Sequence, residues 1–400
     1  MKFSLPINIL YIISIINDSG YQAHVVGGCV RDILINRVPS DWDITTNASP
    51  EIIKSLFPRT YDTGIKHGTV TVILEDMPYE ITTWRKESSY TDHRHPDHIS
   101  TAYSLTEDLA RRDFTMNAMA YHPREGLVDP FGGFDDINCR SIRCVGIPSE
   151  RFSEDALRML RAVRFSAQLD FTIETDTLAE ISKLSADLSH ISKERIQTEL
   201  NKILESPAPW RLSLLWETGL SSVIFPSIEQ LAPLWSTLAK YFVGFTDQRS
   251  ILLALLFFIT FDDYRQEEAR KLLNNLKYDN VTKISVSDYL NCLESLGPSS
   301  PRNIRKAVTE FGVSISADSL RALRIIRSDE NKNKGLEIIS KISPVELALS
   351  GEDLKNAGYQ GKAIKDMLSI LSLCVFEKPE LNDSQTLLEI AGIIAPQIIK

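Results

Sequence analysis

Two runs near the start of the chain combine glycines, a cation and paired carboxylates. Val26-Gly27-Gly28-Cys29-Val30-Arg31-Asp32 is followed about a dozen residues later by Asp41-Trp42-Asp43-Ile44. Two glycines before a helix let backbone N–H groups approach a polyphosphate, and Arg31 adds a fixed positive fork. Asp41 and Asp43 alternate on a strand-like segment, so both carboxylates should project from one face and could hold two divalent metal ions. Singly these patterns are typical of a turn and a solvated edge; together they favour in-line phosphoryl transfer.

Further polar residues follow on the next predicted elements. Glu80 lies on an alternating, strand-like run, where it is either a third carboxylate near the metals or an ordinary surface glutamate. Farther along, Arg111 and Arg112 suit phosphate binding by charge-assisted hydrogen bonds, and Asp113 could accept a ribose hydroxyl. In isolation, this Arg-Arg-Asp run would be read as a surface salt-bridge cluster. Its position after an acidic metal site favours a functional interpretation.

A fourth cluster offers a way to recognise a nucleobase. Asp155 and Arg158 are three residues apart on a predicted helix for which Ser153 is a plausible N-cap, with Glu154 in the first turn. A carboxylate acceptor beside a guanidinium donor matches cytosine and adenine, which present an amino donor beside a ring-nitrogen acceptor. Uracil and guanine present the opposite pattern and would leave buried groups unpaired. The alternative is a simple salt bridge within the helix.

The elements that must position these residues change character along the chain. Up to about residue 142 the pattern is mixed α/β, with strand-like runs at Trp42–Thr45, Gly68–Leu74 and Tyr79–Trp84. From Ser153 to about Leu204, apolar residues recur at three- and four-residue spacing, as in helices. The remainder is also helical in pattern, with breaks at 206–209 and 297–301. All seven histidines lie in the first half, so the C-terminal half cannot hold a His/Asp metal phosphohydrolase site.

Composition bounds the class of protein. The chain has 400 residues, 43% hydrophobic and 24% charged, with a formal net charge of −9, which is ordinary for a soluble protein of several domains. The acidic total leaves room for nucleic-acid binding only on a local basic surface. Five scattered cysteines indicate reduced thiols in the cytoplasm. The apolar run 251–261 is too short to span a membrane. Ile7–Ile16 is expected to be a helix packed on the first domain; the alternative is a signal peptide.

These motifs together resemble the class II CCA-adding tRNA nucleotidyltransferases, which share a family with bacterial poly(A) polymerases. The resemblance extends over roughly residues 20–205 and is carried by motifs in family order: Gly27–Asp32, Asp41–Asp43, Arg111–Ala118, Asp129–Gly133, Glu154–Arg161 and the basic helix from Ser192 to Leu200. It implies the short bacterial form without a His/Asp domain. The implied fold is an α/β nucleotidyltransferase head with a mixed sheet at 1–142, followed by an all-α neck at 143–210, body at 211–297 and tail at 298–400.

The resemblance also implies an activity and its site. The enzyme would add CCA to the 3′ end of tRNA from CTP and ATP without a template, with Mg²⁺ as cofactor and pyrophosphate as product. Asp41 and Asp43 would bind the metal. Residues implied to contact the nucleotide are Gly27, Gly28, Arg31, Arg111, Arg112, Asp113, Asn117, Asp155, Arg158, Arg161 and Arg164.

Two segments concern the range of products and the tRNA. Tyr90–Asp97 resembles the family's flexible loop, tied to the switch from C to A addition, and favours full CCA addition over a CC-only or A-only enzyme. Ala156, where the poly(A) polymerases typically have proline, argues against that branch, and the intact aspartates argue against a non-catalytic RNA-binding module. In the tail, Lys355, Lys362 and Lys365 are candidates for tRNA phosphate contacts, or else part of a solvated helix face.

Overall fold

The structure is a computed structural model that describes residues 3–64, 68–88, 98–226, 228, 235–236, 239–245, 247–261, 263–297, 300–327 and 347–398. The chain forms two compact units, Met1–Ser236 and Thr237–Lys400. The first contains the strands and all of the sequence motifs implied to bind the nucleotide, whereas the described part of the second is helical.

The first unit is built on a seven-stranded mixed sheet with strand order β3-β4-β5-β2-β1-β8-β9. The described strands are β1 (Ala23–Val26), β2 (Asp43–Thr46), β3 (Thr60–Gly64), β4 (Thr69–Leu74), β5 (Met77–Thr83), β6 (Arg85–Ser88), β7 (His98–Thr101), β8 (Ala120–His122), β9 (Gly126–Val128), β10 (Ser141–Ile142) and β11 (Thr172–Ile173). Within this sheet β2 pairs with β5 in parallel, and the other described strand pairs are antiparallel. The pairs β6–β7 and β10–β11 form two small separate sheets.

Helices and short 3₁₀ turns surround this sheet and continue the unit. The helices are α1 (Ile7–Asp18), α2 (Gly28–Leu34), α3 (Pro50–Leu56), α4 (Leu105–Ala110), α5 (Gly133–Asn138), α6 (Pro148–Glu154), α7 (Leu157–Leu169), α8 (Thr175–Leu184), α9 (Lys193–Leu204), α10 (Leu214–Glu217) and α11 (Ser221–Ile224). The 3₁₀ turns are Thr115–Asn117, Ser185–His190 and Pro209–Ser213. In α1 the buried residues are Ile9, Ile12, Ile13 and Ile16, the spacing of one helical face, which confirms the expected helix.

The register of three neighbouring strands, β1, β2 and β5, places the first motifs at the same end of the sheet. β1 ends at Val26, and Gly27 turns the chain into α2 with φ +82°, a conformation that favours glycine. The Gly27 N–H donates to the carbonyl of Met119 at 3.0 Å. β2 lies between β1, which it pairs antiparallel, and β5, which it pairs in parallel, and Asp43 is directly beside Glu80. The glycine turn and the carboxylates therefore come from adjacent strands.

The second unit confirms the helical prediction for its described residues. Its helices are Gln248–Thr260, Arg265–Asn275, Asn280–Leu296, Pro301–Arg327, Gly351–Asn356, Lys362–Glu377 and Ser384–Ile398, with 3₁₀ turns at Ala239–Phe242 and Pro379–Leu381. Gly312, at φ +81°, breaks the helical geometry of the longest one. Leu354, Met367, Leu371 and Leu387 are buried together in the last part of the chain. No helix among the described residues has the length and apolarity to cross a membrane.

Two local predictions were wrong. Asp41 and Asp43 were expected to alternate on one strand-like segment, but β2, which confirms most of the predicted run Trp42–Thr45, begins at Asp43, and Asp41 lies in a bend before it. Ser153 was expected to cap a helix, but α6 already begins at Pro148 and ends at Glu154. Asp155 follows α6 in an extended conformation, with φ −144° and ψ 102°, and α7 begins two residues later. The physical reason is that proline at a first helical position starts a helix without losing a hydrogen bond.

Candidate active site

Three carboxylates lie together at the end of the sheet where β2 begins. Asp43 is exposed there, with Glu80 directly beside it on β5 and Asp41 two residues before it, where it accepts a hydrogen bond from the Ser40 hydroxyl at 3.0 Å. Desolvation by the surrounding protein raises the pKa of Asp43; the charge of Arg112 opposes the shift, and that of Asp41 adds to it. Desolvation also raises the pKa of Glu80, and the charges of Asp43 and Asp41 raise it further. The three negative charges therefore repel one another.

This donor set fits a divalent cation. Carboxylate oxygens are the ligands that hard divalent ions prefer, and an ion between them would relieve their mutual repulsion. Across the described ranges, however, no three His, Cys, Asp or Glu side chains lie close enough together to hold an ion by themselves. Asp41 and Asp43 would hold a metal together with oxygens from a substrate, as Mg²⁺ sites commonly do with phosphates.

Arg112 lies against the glycine turn and faces the same carboxylates. A Cβ added to Gly27 would meet the Arg112 Nη1 atom at 2.8 Å, so the guanidinium sits where a side chain would otherwise be. Its Nη2 atom is 3.6 Å from Asp108, and its Nε–H is buried without a hydrogen-bond partner. A buried, unsatisfied donor beside the first turn of α2 suits an anion that the protein alone does not supply.

A second arginine, Arg31 on α2, is held in place by the side chains around it. The Arg31 Nη1 group donates to the side-chain oxygen of Asn117 at 2.7 Å, and Nε and Nη2 donate to one oxygen of Asp32 at 2.9 and 2.7 Å. Its guanidinium carbon lies 5.1 Å from the ring centre of Phe165. Asn117 also donates to Asp113 at 3.2 Å, so it links the glycine turn to the Arg-Arg-Asp run.

Asp108, a residue that the sequence analysis did not single out, orients the first arginine of that run. Its carboxylate is fully buried and accepts from Arg111 Nε and Nη2 at 3.0 and 2.8 Å and from the Thr45 hydroxyl at 3.1 Å. Burial alone would raise the pKa of Asp108, but Arg111 and Arg112 outweigh burial and leave the pKa lowered. The Asp108 carboxylate therefore stays ionised and forms ion pairs with both Arg111 and Arg112.

Asp113 is held by Arg161. Its Oδ2 atom accepts from Arg161 Nε and Nη2 at 2.8 and 2.5 Å, and its Oδ1 atom accepts from the Phe114 N–H at 2.8 Å. Burial opposes ionisation, but the pair with Arg161 and the bond from Asn117 outweigh it and lower the pKa of Asp113 to about 2. Asp113 is thus a fixed anion on the wall of the site, and Arg161 is turned toward it.

One pocket joins two motifs that are more than 40 residues apart in sequence. It has a volume of about 240 Å³, and we call it the reading pocket; its lining residues are Arg111, Arg112, Asp113, Asp155, Leu157, Arg158, Arg161 and Arg195. Six of these eight residues were predicted site residues. Leu157 and Arg195 were not, although the sequence had marked the helix of Arg195 as a family motif.

Asp155 and Arg158 meet in this pocket, but not as neighbours on one helix. Asp155 lies between α6 and α7, where its Oδ1 atom accepts from the Leu157 N–H at 3.0 Å. Arg195 Nη1 and Nη2 donate to Asp155 Oδ1 and Oδ2 at 3.3 and 2.7 Å. The expected placement of the two residues on one helix was wrong, but across the break between α6 and α7 both residues still line the reading pocket.

Arg158 is anchored by neighbouring oxygens. Its Nη1 group donates to Glu154 at 2.5 Å and to the carbonyl of Arg151 at 3.1 Å, and Nη2 donates to the carbonyl of Arg111 at 3.1 Å. The residue is only 9% exposed. The salt bridge within this segment is therefore Glu154–Arg158 and not Asp155–Arg158, which leaves Asp155 as the separate acceptor of the pair.

The remaining predicted residues lie outside the reading pocket. Arg164 is buried in an ion pair with Glu199 at 2.5 Å, and its guanidinium carbon lies 3.7 Å from the ring centre of Phe165. Lys355 is exposed on the helix Gly351–Asn356. The side chains of Lys362 and Lys365 lie outside the described part of the chain, as does the 90–97 loop.

Comparison with known proteins identifies the family. Residues 23–143 match the family model described as the poly A polymerase head domain, and residues 170–231 match the model described as a probable RNA and SrmB-binding site of polymerase A. A CCA-adding enzyme of a Geobacillus species is 40% identical over 375 residues, which are 92% of this chain and 91% of that one. The CCA-adding enzyme of Limosilactobacillus fermentum is 37% identical over 95% of each chain.

A solved structure agrees with these matches. The crystal structure of Bacillus stearothermophilus CCA-adding enzyme in complex with CTP superposes with a TM-score of 0.78 and 30% identity, and the match covers 99% of this chain and 100% of that one. The fold and head-domain match define a nucleotidyltransferase. Within that class, the chain belongs to the family of CCA-adding enzymes, as the resemblance of its motifs predicted.

Proposed function

We propose that this chain adds CCA to the 3′ end of tRNA, taking CTP and then ATP as substrates and releasing pyrophosphate at each step. The observation that carries the proposal is the reading pocket, which joins the Arg-Arg-Asp run to the Asp155 and Arg158 pair. A pocket with a fixed carboxylate acceptor beside a fixed guanidinium suits a base with an amino donor beside a ring-nitrogen acceptor. The names of the related CCA-adding enzymes, and the CTP complex of one of them, support the same substrates.

We assign a task to each part of the site. The glycine turn and Arg112 bind the triphosphate, with Arg31 behind them and Arg111 beside them. Asp41 and Asp43, with Glu80 adjacent, would hold Mg²⁺, which when bound supplies Lewis-acid stabilisation of the charge that develops on the reacting phosphate.

The covalent step is an in-line displacement. The 3′-hydroxyl of the tRNA attacks the α-phosphate of the nucleotide, a new phosphodiester bond forms, and the bond to the β-phosphate breaks so that pyrophosphate leaves with its charge neutralised by the arginines. Asp113, kept ionised by Arg161, orients Arg161 and Asn117 on the wall of the site, and its two oxygens already accept four hydrogen bonds, from Arg161, Asn117 and the Phe114 N–H. Asp155 and Arg158 select the base before this step, because uracil and guanine would leave their buried groups unpaired.

Domain roles and cellular location complete the proposal. The head would be 1–142, the neck 143–210, the body 211–297 and the tail 298–400, with the exposed Lys355 among the tail contacts to tRNA phosphates. The family match at 23–143 supports the first assignment, and the match at 170–231 overlaps the neck and the beginning of the body. We place the enzyme in the cytoplasm, which is consistent with five cysteines that are all free thiols.

The experiment measures pyrophosphate release with a tRNA transcript that lacks its 3′ CCA, in the presence of Mg²⁺ and CTP. Asp43→Asn should lower the rate roughly a thousand-fold, or about 4 kcal/mol, because a metal-held charge contributes several kcal/mol to such transfers. Asp76→Asn, at an exposed carboxylate of the same domain, should leave the rate unchanged. Chelation by EDTA should stop release, and added Mg²⁺ should restore it. A rate of Asp43→Asn within ten-fold of the parent enzyme would refute the metal assignment.

A further inference from the structure

Arg195 holds the carboxylate of Asp155 from a different helix. Its Nη2 atom lies 2.7 Å from Asp155 Oδ2 and its Nη1 atom lies 3.3 Å from Oδ1, so the guanidinium meets the carboxylate at two points. The pair joins α9 to the junction of α6 and α7 across 40 residues of sequence. Two parallel contacts between planar groups fix the direction of a carboxylate as well as its position.

Asp155 needs such a support because its own segment is not helical. The residue has φ −144° and ψ 102°, and its other described side-chain contact is the Leu157 N–H, at 3.0 Å from Oδ1. The terminal torsion of an aspartate has a broad, two-fold preference, so one hydrogen bond to one oxygen leaves the carboxylate free to rotate. The contact from Arg195 to the second oxygen removes that freedom.

The same contacts restrict how Asp155 meets a base. An ionised carboxylate offers about four acceptor positions. The described contacts use three of them, one for the Leu157 N–H and two for Arg195. Leu157 and Arg195 line the reading pocket together with Asp155. The fourth acceptor position of Asp155 is therefore the one left for a donor group in the pocket.

We propose that Arg195 is a positioning residue for base selection. It holds Asp155 so that only one acceptor position of the carboxylate is available in the reading pocket. The inference rests on the proposed role of Asp155 as base reader. Arg195 favours bases that present an amino group to that acceptor over bases that present a carbonyl. The buried pair of Arg164 on α7 and Glu199 on α9 offers a contrast, since neither residue lines the pocket.

The test measures kcat/KM for CTP and for UTP with the full-length chain and a tRNA lacking CCA. Arg195→Met should lower kcat/KM for CTP by roughly ten- to a hundred-fold, the scale of an ångström-sized misplacement, and should lower the CTP-to-UTP ratio. Arg195→Lys should fall between Met and the parent, because an ammonium keeps the charge but loses the two-point contact. The KM for tRNA should not change. Lys202→Met, at an exposed cation on the same helix, is the matched control and should behave like the parent.

Asp155→Ala separates this inference from the proposed function. If Asp155→Ala leaves the CTP-to-UTP ratio unchanged, Asp155 is not the base reader and the proposed function fails at that point. If Asp155→Ala lowers the ratio but Arg195→Met and Arg195→Lys do not, only the present inference is overturned. The double variant Asp155→Ala/Arg195→Lys should select no worse than Asp155→Ala alone. If the Arg195 variants lose kcat/KM for CTP and for UTP equally, so that the ratio is unchanged, the present inference is also overturned. If Arg195→Met fails to fold, Arg195→Lys alone provides the test.

Discussion

Gly27→Ala should damage catalysis more than it damages folding, because the added methyl group would displace a guanidinium. The Cβ would lie 2.8 Å from Arg112 Nη1, whereas ordinary contacts begin at 3.4 Å. The guanidinium must therefore retreat by at least about 0.6 Å, and an ångström-sized misplacement costs about a hundred-fold in rate. Arg112 Nη1 is the far end of a side chain, so this movement is inexpensive for the fold. We expect a ten- to hundred-fold loss in kcat/KM for CTP, roughly 1.4–2.8 kcal/mol.

Backbone strain is a separate cost that a control variant isolates. Gly27 has φ +82°, and an alanine held there costs roughly 1–3 kcal/mol of stability. Gly20 has φ +87°, but a Cβ on it would meet nothing within 4 Å. Gly20→Ala should therefore lose stability on the same scale and keep its activity.

The assay combines urea unfolding with steady-state CTP incorporation, at a temperature where both variants are folded. We expect the two variants to differ in the KM for CTP and in kcat/KM, and not in stability alone. If folded Gly27→Ala and folded Gly20→Ala incorporate CTP equally well, Arg112 does not bind the triphosphate from its position against the turn.

Three other perturbations follow from contacts in the first unit. Gly133→Ala should destabilise the protein by roughly 1–3 kcal/mol in urea unfolding, because the added Cβ would lie 2.2 Å from a backbone oxygen. The control Gly392→Ala, whose Cβ would lie in open space, should not destabilise it. Equal stabilities of the two variants would contradict this. Glu199→Ala should cost about 3–5 kcal/mol, because Arg164 stays buried without its partner, and a loss below 1 kcal/mol would refute the role of the pair. The lowered pKa of Asp113, about 2, means that its charge contributes about 2 kcal/mol above pH 4 and loses this as pH falls toward 2. The stability difference between the parent and Asp113→Asn should shrink over that pH range, and a constant difference would contradict it.

The sequence was sufficient where a local pattern determines a local structure. β-branched runs bounded by turn residues predicted β4 and β5, and the apolar run Ile7–Ile16 predicted α1. Two adjacent glycines before a cation predicted the tight turn at Gly27, which the positive φ confirms. These features depend on neighbouring residues, so a single sequence carries them.

Features that depend on distant contacts were not predictable. The spacing of Asp155 and Arg158 suggested one helix, although Pro148 was a usable signal that a helix begins earlier. Nothing local indicated that Asp108 is fully buried or that Arg195 reaches Asp155 across 40 residues. Such pairs form only when helices and strands pack, and the charge pattern of a helix does not show which residue faces a pocket.

The most direct test of the central claim is to sequence the ends of tRNA transcripts that lack CCA after incubation with the purified protein, Mg²⁺ and CTP, ATP or both. We expect ends of CCA only when both nucleotides are present, and ends of CC with CTP alone. Arrest at CC with both nucleotides, or addition of A only to transcripts that already end in CC, would make the protein a partial enzyme, and long A tails would place it with the poly(A) polymerases. Each of these results would contradict full CCA addition by this chain.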